Sequence, residues 1–174
     1  MLWGVGVAIA VSLLNFIRRA WHPHDAVLAR VDNLKGYHDT ERYPDARHIP
    51  GLVLYRFDAP LFFANADFFR ERVRALARRG EVRWIVVAAE PITDIDVTAA
   101  DTLRALNDEL DAVGIELAFA ERKDPVRDRL RRYGIETAVG ADRFFPTLGV
   151  AVSTYLEHTG IDWLDWEDRS PRRV

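Results

Sequence analysis

The sequence predicts an α/β domain preceded by a single apolar helix, and three observations support this fold class. From Gly51 onward, strand-like and helix-like segments alternate with short connections, which is typical of a sheet covered by helices. The run Trp84–Ala88 is continuously apolar, as in a central strand buried on both faces. Residues 1–17 contain no charged side chain, and Arg18 and Arg19 follow directly. The chain therefore joins a globular α/β pattern to a segment with the composition of a membrane helix.

The apolar segment at the start has three interpretations. At about 1.5 Å rise per residue, residues 1–17 extend roughly 25 Å, somewhat less than a hydrocarbon core of about 30 Å. Arg18, Arg19 and Trp21 favour a partial membrane helix, residues 1–20, that leaves the bilayer on the cytoplasmic side. A buried core helix is the second interpretation, because the run is short. A secretory signal peptide is the third, although its positive charge would precede the apolar run.

The segment after this helix predicts a connector followed by two strands. Residues 21–50 are rich in Pro, His, Asp and Gly, with one strand-like stretch at residues 27–31. Strand-like stretches recur at residues 52–57 and 61–63, and the sequence Asp-Ala-Pro between them is a turn signal. In the domain plan, residues 21–41 are therefore the connector with the first strand.

The first helix of the domain is predicted to begin at Asn65, because asparagine is a favourable helix cap. Phe69, Val73 and Leu76 then fall at the spacing of one helix face. Gly80 ends the helix, and the apolar central strand follows.

The clearest helix signal extends from Val97 to Val113. Its apolar residues repeat at helical spacing and form one stripe: Ala99, Leu103, Leu106, Leu110 and Val113. Gly114 supplies the C-terminal stop, and residues 115–119 predict another strand.

The last part of the domain predicts two helices and a short strand. Asp124 as cap, with Pro125 in the first turn, predicts a helix that runs to Gly134. A short strand is predicted at residues 144–145. The final helix spans residues 147–157, with three inward side chains: Leu148, Val152 and Tyr155. Residues 159–174 form a polar tail, which we expect to be flexible.

Composition excludes several classes of function. The chain has 174 residues, a net charge of −3 and no cysteine, so it lacks the basic excess of nucleic-acid-binding proteins and the ligands of Cys-based zinc sites. Its five histidines match no zinc spacing such as H-E-x-x-H, and no Gly-rich phosphate loop precedes a helix. We therefore expect no enzyme, no cofactor, no metal and no nucleic-acid partner.

The segment between the central strand and the long helix carries three carboxylates around one threonine. Asp94 and Asp96 precede Thr98, and Asp101 follows it. One interpretation is a helix cap in which Thr98 and Asp101 form an [ST]-x-x-[DE] pair, with the acids favoured by the helix dipole. The other is a switch, in which the Thr98 hydroxyl accepts a phosphate at the helix N-terminus, near Asp94 and Asp96.

The helix predicted to begin at Asp124 carries a basic face. Its arginines include Arg127, Arg131 and Arg132, together with Arg129. Such a face is often only solvated. Alternatively, it contacts anionic lipid headgroups or an acidic partner.

Two stretches of the sequence carry a resemblance to a known family. Residues 50–66 read PGLVLYRFDAPLFFANA, and residues 94–103 read DIDVTAADTL. The first resembles the opening of the STAS domain of SulP-type (sulfate permease) anion transporters, and the second resembles the signature turn of that domain. The apolar helix that ends in arginines, and then residues 36–39, are similar to the segment upstream of it. The similarity extends to about His158.

The resemblance implies a STAS-type α/β domain, a central mixed sheet flanked by helices, beneath the membrane part of a transporter of sulfate-like anions. Residues 42–158 would form this domain, and the chain would be a fragment that lacks most of the transport core. The implied partners are the transmembrane core, a second STAS domain, and membrane lipid through the N-terminal helix. The implied location is the cell membrane, with the domain in the cytoplasm. The implied role is regulation and interaction.

The resemblance also bears on the threonine turn. In the related anti-sigma-factor antagonists, this turn reads Asp-Ser-Ser-Gly, and its second Ser is phosphorylated. Alignment puts Thr98 at that position and Asp96 at the acid, whereas Val97 and Ala99 depart from the pattern. An alternative function is therefore a membrane-anchored, partner-switching protein of that kind.

Overall fold

The computed structural model describes residues 2–166. Its strands are β1 (Asp25–Arg30), β2 (Tyr37–Asp39), β3 (Leu52–Phe57), β4 (Trp84–Ala88), β5 (Glu116–Ala120) and β6 (Phe144–Phe145). Its helices are α1 (Leu2–Trp21), α2 (Ala66–Ala77), α3 (Val97–Asp111), α4 (Asp124–Arg132), α5 (Ile135–Val139) and α6 (Leu148–Thr159). A short 3-10 helix, Ala141–Arg143, precedes β6.

These strands form one mixed sheet in the order β2-β1-β3-β4-β5-β6. Strands β3 to β6 are parallel to one another, whereas β1 is antiparallel to both of its neighbours. The central strand β4 is buried along its whole length, because helices cover both faces of the sheet. The predicted fold class, a mixed sheet flanked by helices, is confirmed.

Two apolar clusters attach the helices to the sheet. Helices α2 to α5 cover one face, where the buried side chains include Tyr55, Phe69, Ile85, Leu103 and Leu130. Helix α6 covers the other face, where they include Trp84, Val86, Val152 and Tyr155. The alternation of Ile85 and Val86 between the two clusters is the period-2 pattern of a strand. Every element of the domain is thus positioned by apolar burial against the sheet.

Helix α1 is exposed along the part of it that the structure describes. Its segment Trp3–Trp21 is long and apolar enough to cross a membrane, and none of its most apolar stretch is buried in the structure. The interpretation as a buried core helix is therefore wrong, whereas a signal sequence passes the same test of length and composition. Because the helix continues to Trp21, it is about 30 Å long and matches a hydrocarbon core.

The predicted strand at residues 61–63 is wrong. Only Leu61 makes a bridge, and the next two residues lead into the turn before α2. The backbone N–H groups of these two residues donate to the side chains of Asn65 and Asp96. The apolar composition of the run is typical of a strand. The sequence does not reveal that side-chain oxygens, and not the carbonyls of a neighbouring strand, accept the hydrogen bonds of its N–H groups.

Two elements have no counterpart in the sequence prediction. Strand β2 is too short and polar to show alternation, and it forms because β1 offers it an antiparallel partner. Helix α5 begins directly after Gly134, whose left-handed backbone, with a φ of 71°, ends α4. One glycine therefore both ends a helix and precedes the next, and the sequence prediction used it only as an end. Because β1 and β2 both come from the predicted connector, the folded sheet already begins at Asp25.

Several helix boundaries differ from the prediction, and those of α3 and α4 have a clear structural reason. Val113 lies beyond the end of α3 and is 68% exposed, so it does not belong to the buried stripe, although the other four stripe residues are buried. The N-cap of α4 is Lys123, and Asp124 is the first helical residue. The predicted stripe of α3 continues two residues past its last helical residue, Asp111, whereas α4 begins one residue earlier than predicted, because Lys123 is extended and Asp124 is already helical.

The segment after α6 lies against the domain as far as the structure describes it. Asp165 pairs with the buried Arg30 at 2.8 Å. Arg47 stacks over the ring of Trp163, 4.7 Å from its centroid, and donates to the carbonyl of Leu164. Of the tail predicted at residues 159–174, residues 167–174 lie outside the described residues.

Gly51 tests the packing of α6 on the sheet. It has a φ of +75°, and a Cβ there would overlap the hydroxyl of the fully buried Tyr155, which donates to the carbonyl of Pro50. We expect Gly51→Ala to lower the free energy of unfolding by roughly 2–4 kcal/mol, from overpacking plus left-handed backbone strain. Denaturant unfolding of the full chain in detergent measures the loss.

The matched control is Gly80→Ala. Gly80 has a similar φ of +64°, but a Cβ there meets open space. This variant carries the backbone strain alone, about 1–2 kcal/mol. Equal losses for the two variants would contradict the packing argument.

Glu109 of α3 joins α3 to α2 through two arginines. Arg74 donates to its carboxylate twice, at 2.7 Å each, and Arg70 pairs with it as well. These hydrogen bonds, first from Arg74 and then from Arg70, lower the pKa of Glu109 to about 2. A lowered pKa stabilises the fold above the ordinary pKa of about 4.3, and the contribution is lost as pH falls toward 2.

We therefore expect Glu109→Gln to lower the melting temperature near neutral pH, and its effect to shrink progressively below about pH 4. Asp108→Asn, on the exposed side of the same helix, serves as control for removing one negative charge. Melts of the three proteins across this pH range provide the measurement. A Glu109→Gln deficit that stays constant down to pH 2 would argue against the ion pairs.

Candidate functional site

The turn before α3 lies at the edge of the sheet where the parallel strands end. Its central residue is Asp96, the N-cap of α3, whose Oδ1 accepts a hydrogen bond from the backbone N–H of Ala99 at 2.8 Å. Its other oxygen, Oδ2, accepts from the backbone N–H of Phe63 at 2.9 Å. One carboxylate therefore caps α3 and also fixes the loop that precedes α2.

Thr98 is not the cap of α3, and that interpretation is wrong. It lies in the first turn of the helix with an exposed side chain, and its carbonyl accepts from the hydroxyl of Thr102 at 3.0 Å. Asp101, its expected capping partner, pairs instead with Arg104 at 2.9 Å. Asp96 takes the cap because its extended backbone brings its short carboxylate to the free N–H of Ala99. The hydroxyl of Thr98 is thus left exposed.

Asp94 connects the same turn to α4. Its Oδ1 accepts from the N–H of Ile95 at 2.7 Å, and its carboxylate pairs with Arg129. Arg129 also donates to the carbonyl of Ile95 at 3.2 Å. The carbonyl of Asp94 accepts from the N–H of Leu61 at 2.9 Å, so this turn and the loop before α2 are held at two points.

The predicted basic residues do not gather at this turn. Arg127 pairs with Asp124 within α4, at 3.1 Å, and Arg131 and Arg132 are exposed near the end of that helix. Arg129 is the arginine of α4 that reaches the acids. Sequence reasoning placed it in the same basic run without separating it, because helical spacing alone does not show which face meets the turn.

Asn65 forms a joint between α1 and the domain, and sequence reasoning took it only for a helix cap. It makes no side-chain capping bond to α2. Its Nδ2 donates to the carbonyl of Ala20 at 3.2 Å and to that of Pro60 at 2.9 Å, while its Oδ1 accepts from the N–H of Phe62 at 3.0 Å. The side chain is fully buried. The one signal in the sequence was a polar residue within an otherwise apolar stretch.

The short connection from α1 to β1 is held by further contacts. The ring of His22 packs edge-on against Phe68, with centroids 5.0 Å apart. His24 Nδ1 lies 2.8 Å from Asp58, which Arg56 also binds at 2.7 Å. Burial alone would raise the pKa of Asp58, but the hydrogen bonds from Arg56 and His24 outweigh it and lower the pKa. The connector between α1 and β1 therefore has defined contacts to the domain.

The arrangement at this edge suits recognition more than chemistry. Two apolar residues of this edge are exposed: Phe63, whose backbone N–H donates to Asp96, is 68% exposed, and Val97, which precedes Thr98 in the chain, is 56% exposed. Within residues 2–166, no group of three or more His, Asp or Glu side chains is placed to hold a metal ion. The exposed side chains of Thr98, Val97 and Phe63 thus lie on backbone that hydrogen bonds hold in place, which suits contact with another molecule.

The sequence profile of the STAS domain family matches residues 43–151. A Mycobacterium tuberculosis protein named "Probable sulfate transporter" is 43% identical over 157 residues, which cover 89% of this chain and 28% of that protein. High affinity sulfate transporter 2 of Stylosanthes hamata is 26% identical, over 87% of this chain and 24% of its own length. This chain thus spans about a quarter of the length of the relatives it matches.

Solved structures show the same fold. The murine Solute Carrier 26 family member A9 anion transporter, in its inward-facing state, superimposes with a TM-score of 0.77 at 21% identity, over 89% of this chain and 26% of that one. The STAS domain of a Vibrio cholerae SulP transporter superimposes with a TM-score of 0.57 at 19% identity, over 70% of this chain and 95% of that one. With its six-stranded mixed sheet, its profile match and its sulfate-transporter relatives, this chain belongs to the STAS domain family.

Proposed function

We propose that this chain is the cytoplasmic regulatory and interaction domain of a membrane transporter for sulfate-like anions. The observation that carries the proposal is the exposed apolar helix α1 joined to a STAS domain by the buried side chain of Asn65. A buried hydrogen bond between the end of α1 and the domain fixes the orientation of the domain relative to the helix. Such a bond is expected if movements of the helix are passed to the domain. The relatives named as sulfate transporters supply the class of anion.

The proposed orientation follows from charge. Arg18 and Arg19 lie in the last turn of α1, and basic residues next to a span are concentrated on the cytoplasmic side. The domain that follows them would therefore be cytoplasmic. Gly4 and Gly6 have open space around them, which suits close packing of α1 against other membrane helices of a transport core.

The domain itself would carry no anions. One membrane helix cannot enclose a polar pathway away from lipid. Its role would lie in contacts with the transmembrane core or with a second STAS domain, and it would not be enzymatic. A membrane-anchored, partner-switching antagonist is the alternative class, but the relatives named as sulfate transporters favour a transporter.

The switch within this function would be Thr98. Its side chain is exposed and directly follows the exposed Val97 in the chain, so a phosphate there would place a strongly anionic group next to an apolar one. Because Asp96 rather than Thr98 caps α3, the hydroxyl is available without loss of the helix. Asp96, held by two backbone N–H groups, and the exposed Asp94–Arg129 pair would supply the charges around this switch.

For the membrane helix, we expect the full chain to remain in the pellet after carbonate extraction, and Val11→Arg to move it to the supernatant. A charge near the middle of a span costs about 2.5–3.5 kcal/mol on insertion scales. Val113→Arg, an exposed valine on the domain, is the control and should leave the chain in the pellet. Mass measurement of the intact chain excludes signal cleavage. A wild-type chain found as a folded soluble monomer would contradict the proposal.

For the switch, we expect the protein isolated from its native cells to contain a phosphorylated fraction on Thr98, visible as a retarded band in phosphate-affinity electrophoresis. Thr98→Ala should remove the band, whereas Thr93→Ala, at another exposed threonine of the same turn, should retain it. Because Thr98 caps nothing, its alanine variant should unfold within about 0.5 kcal/mol of wild type. A retarded band that persists in Thr98→Ala would rule out this residue as the acceptor.

A further inference from the structure

The loop between β3 and α2 is held directly at the end of α1. Asn65 donates to the carbonyl of Ala20, one residue before the end of α1, at 3.2 Å. Phe63 is two residues from Asn65, so their Cα atoms are at most about 7 Å apart along the chain. The headgroup layer on each side of a bilayer is about 5–7 Å thick. If α1 crosses the membrane, this loop is therefore at the level of the lipid headgroups.

The loop is also fixed on its other side. The N–H of Phe63 donates to Asp96 Oδ2 at 2.9 Å, and the N–H of Leu61 donates to the carbonyl of Asp94 at 2.9 Å. With the backbone held at both points, the loop has little freedom to fold Phe63 into the core. Phe63 is thus 68% exposed in a loop whose backbone is fixed by hydrogen bonds to the turn before α3.

A second exposed apolar residue, Val97, has its backbone close to that of Phe63. The carboxylate of Asp96, the residue before Val97, holds the N–H of Phe63, so Val97 and Phe63 are neighbours at the same edge of the sheet. Val97 is 56% exposed. Exposed aromatic and aliphatic side chains beside basic residues are the composition of membrane-interface segments. Arg18 and Arg19, in the last turn of α1, supply the cations that anionic headgroups attract.

We propose that Phe63 and Val97 form a lipid-contact surface, which inserts into the headgroup layer of an anionic bilayer beside the exit of α1. The proposal rests on the proposed function that α1 crosses the membrane. The lipid is favoured as occupant because the surface continues directly from the end of a candidate span. Val113, as exposed as Phe63, lies just beyond the opposite end of α3, and the 15 residues of that helix extend about 22 Å.

The absence of cysteine from the chain permits a direct test. Single-cysteine variants Val11→Cys, Phe63→Cys, Val97→Cys and Val113→Cys of the full chain are spin-labelled and reconstituted into vesicles of phosphatidylcholine and phosphatidylglycerol. Collision of each label with oxygen, which concentrates in lipid, is compared with collision with a water-soluble nickel chelate. We expect the oxygen-to-nickel ratio at residues 63 and 97 to exceed the ratio at residue 113 several-fold, and to fall below that at residue 11.

The outcomes separate the two proposals. A water-exposed label at residue 11 would overturn the membrane helix and, with it, this inference. A lipid-exposed label at residue 11 with residues 63 and 97 as wet as residue 113 would overturn the lipid-contact surface alone. Labels at 63 and 97 shielded from both reagents would identify a protein partner, such as a second copy, and would also overturn it.

A second variant tests whether Asn65 places the surface. Asn65→Asp removes the donor to Ala20 but retains an acceptor for the N–H of Phe62. We expect it to lower the ratio at residue 63 and leave that at residue 11 unchanged. Asn107→Asp is the matched control, because Asn107 is also buried and donates to a carbonyl, that of Ala138, away from this edge. Equal effects of the two variants on residue 63 would contradict the placing role.

Discussion

At the carboxyl edge of the sheet, two side chains accept hydrogen bonds from backbone N–H groups that have no partner strand. The shape of this edge depends on these two side chains. Asn65 and Asp96 accept the N–H groups of Phe62 and Phe63, and Asn65 also donates to two carbonyls. A buried polar group left without a partner costs about 1–3 kcal/mol, so the loop keeps its shape only while both side chains are present. Because the same pair touches α1 and caps α3, three helices are fixed relative to one another at this edge.

The ion pairs around this edge act differently from those hydrogen bonds. The Asp94–Arg129 pair is about half exposed on both sides, and such pairs contribute about 0–1 kcal/mol. The backbone therefore holds the turn, and the charged side chains can change partners at little cost. If Thr98 is phosphorylated or this edge meets anionic headgroups, as proposed, the backbone hydrogen bonds would keep the turn folded while the charged side chains rearrange.

Individual elements show where sequence reasoning is sufficient. The stripe of α3 was found by periodicity because Ala99, Leu103, Leu106 and Leu110 must all face the sheet, and each is buried. The continuous apolar run of β4 was found because a strand covered on both faces has no polar side. The site was found only in part. The segment around Thr98 was identified, but Asp96 is the residue that caps α3. The sequence did not indicate that Asn65 contacts α1, or that Arg129 is the arginine of α4 that pairs with Asp94.

The class of fold, the apolar helix, the positions of the main strands along the chain and the family could all be predicted from the sequence, because they follow from local periodicity, composition and two contiguous stretches. The tertiary structure alone decided which residue caps α3, that residues 61–63 form a loop, that β2 pairs with β1, and that Asn65 meets Ala20. Each of these depends on a hydrogen-bond partner that is distant in the chain or on a competition between adjacent acceptors. A side chain bonds to whichever donors and acceptors the packed helices bring within about 3 Å of it. No local sequence pattern predicts those distances.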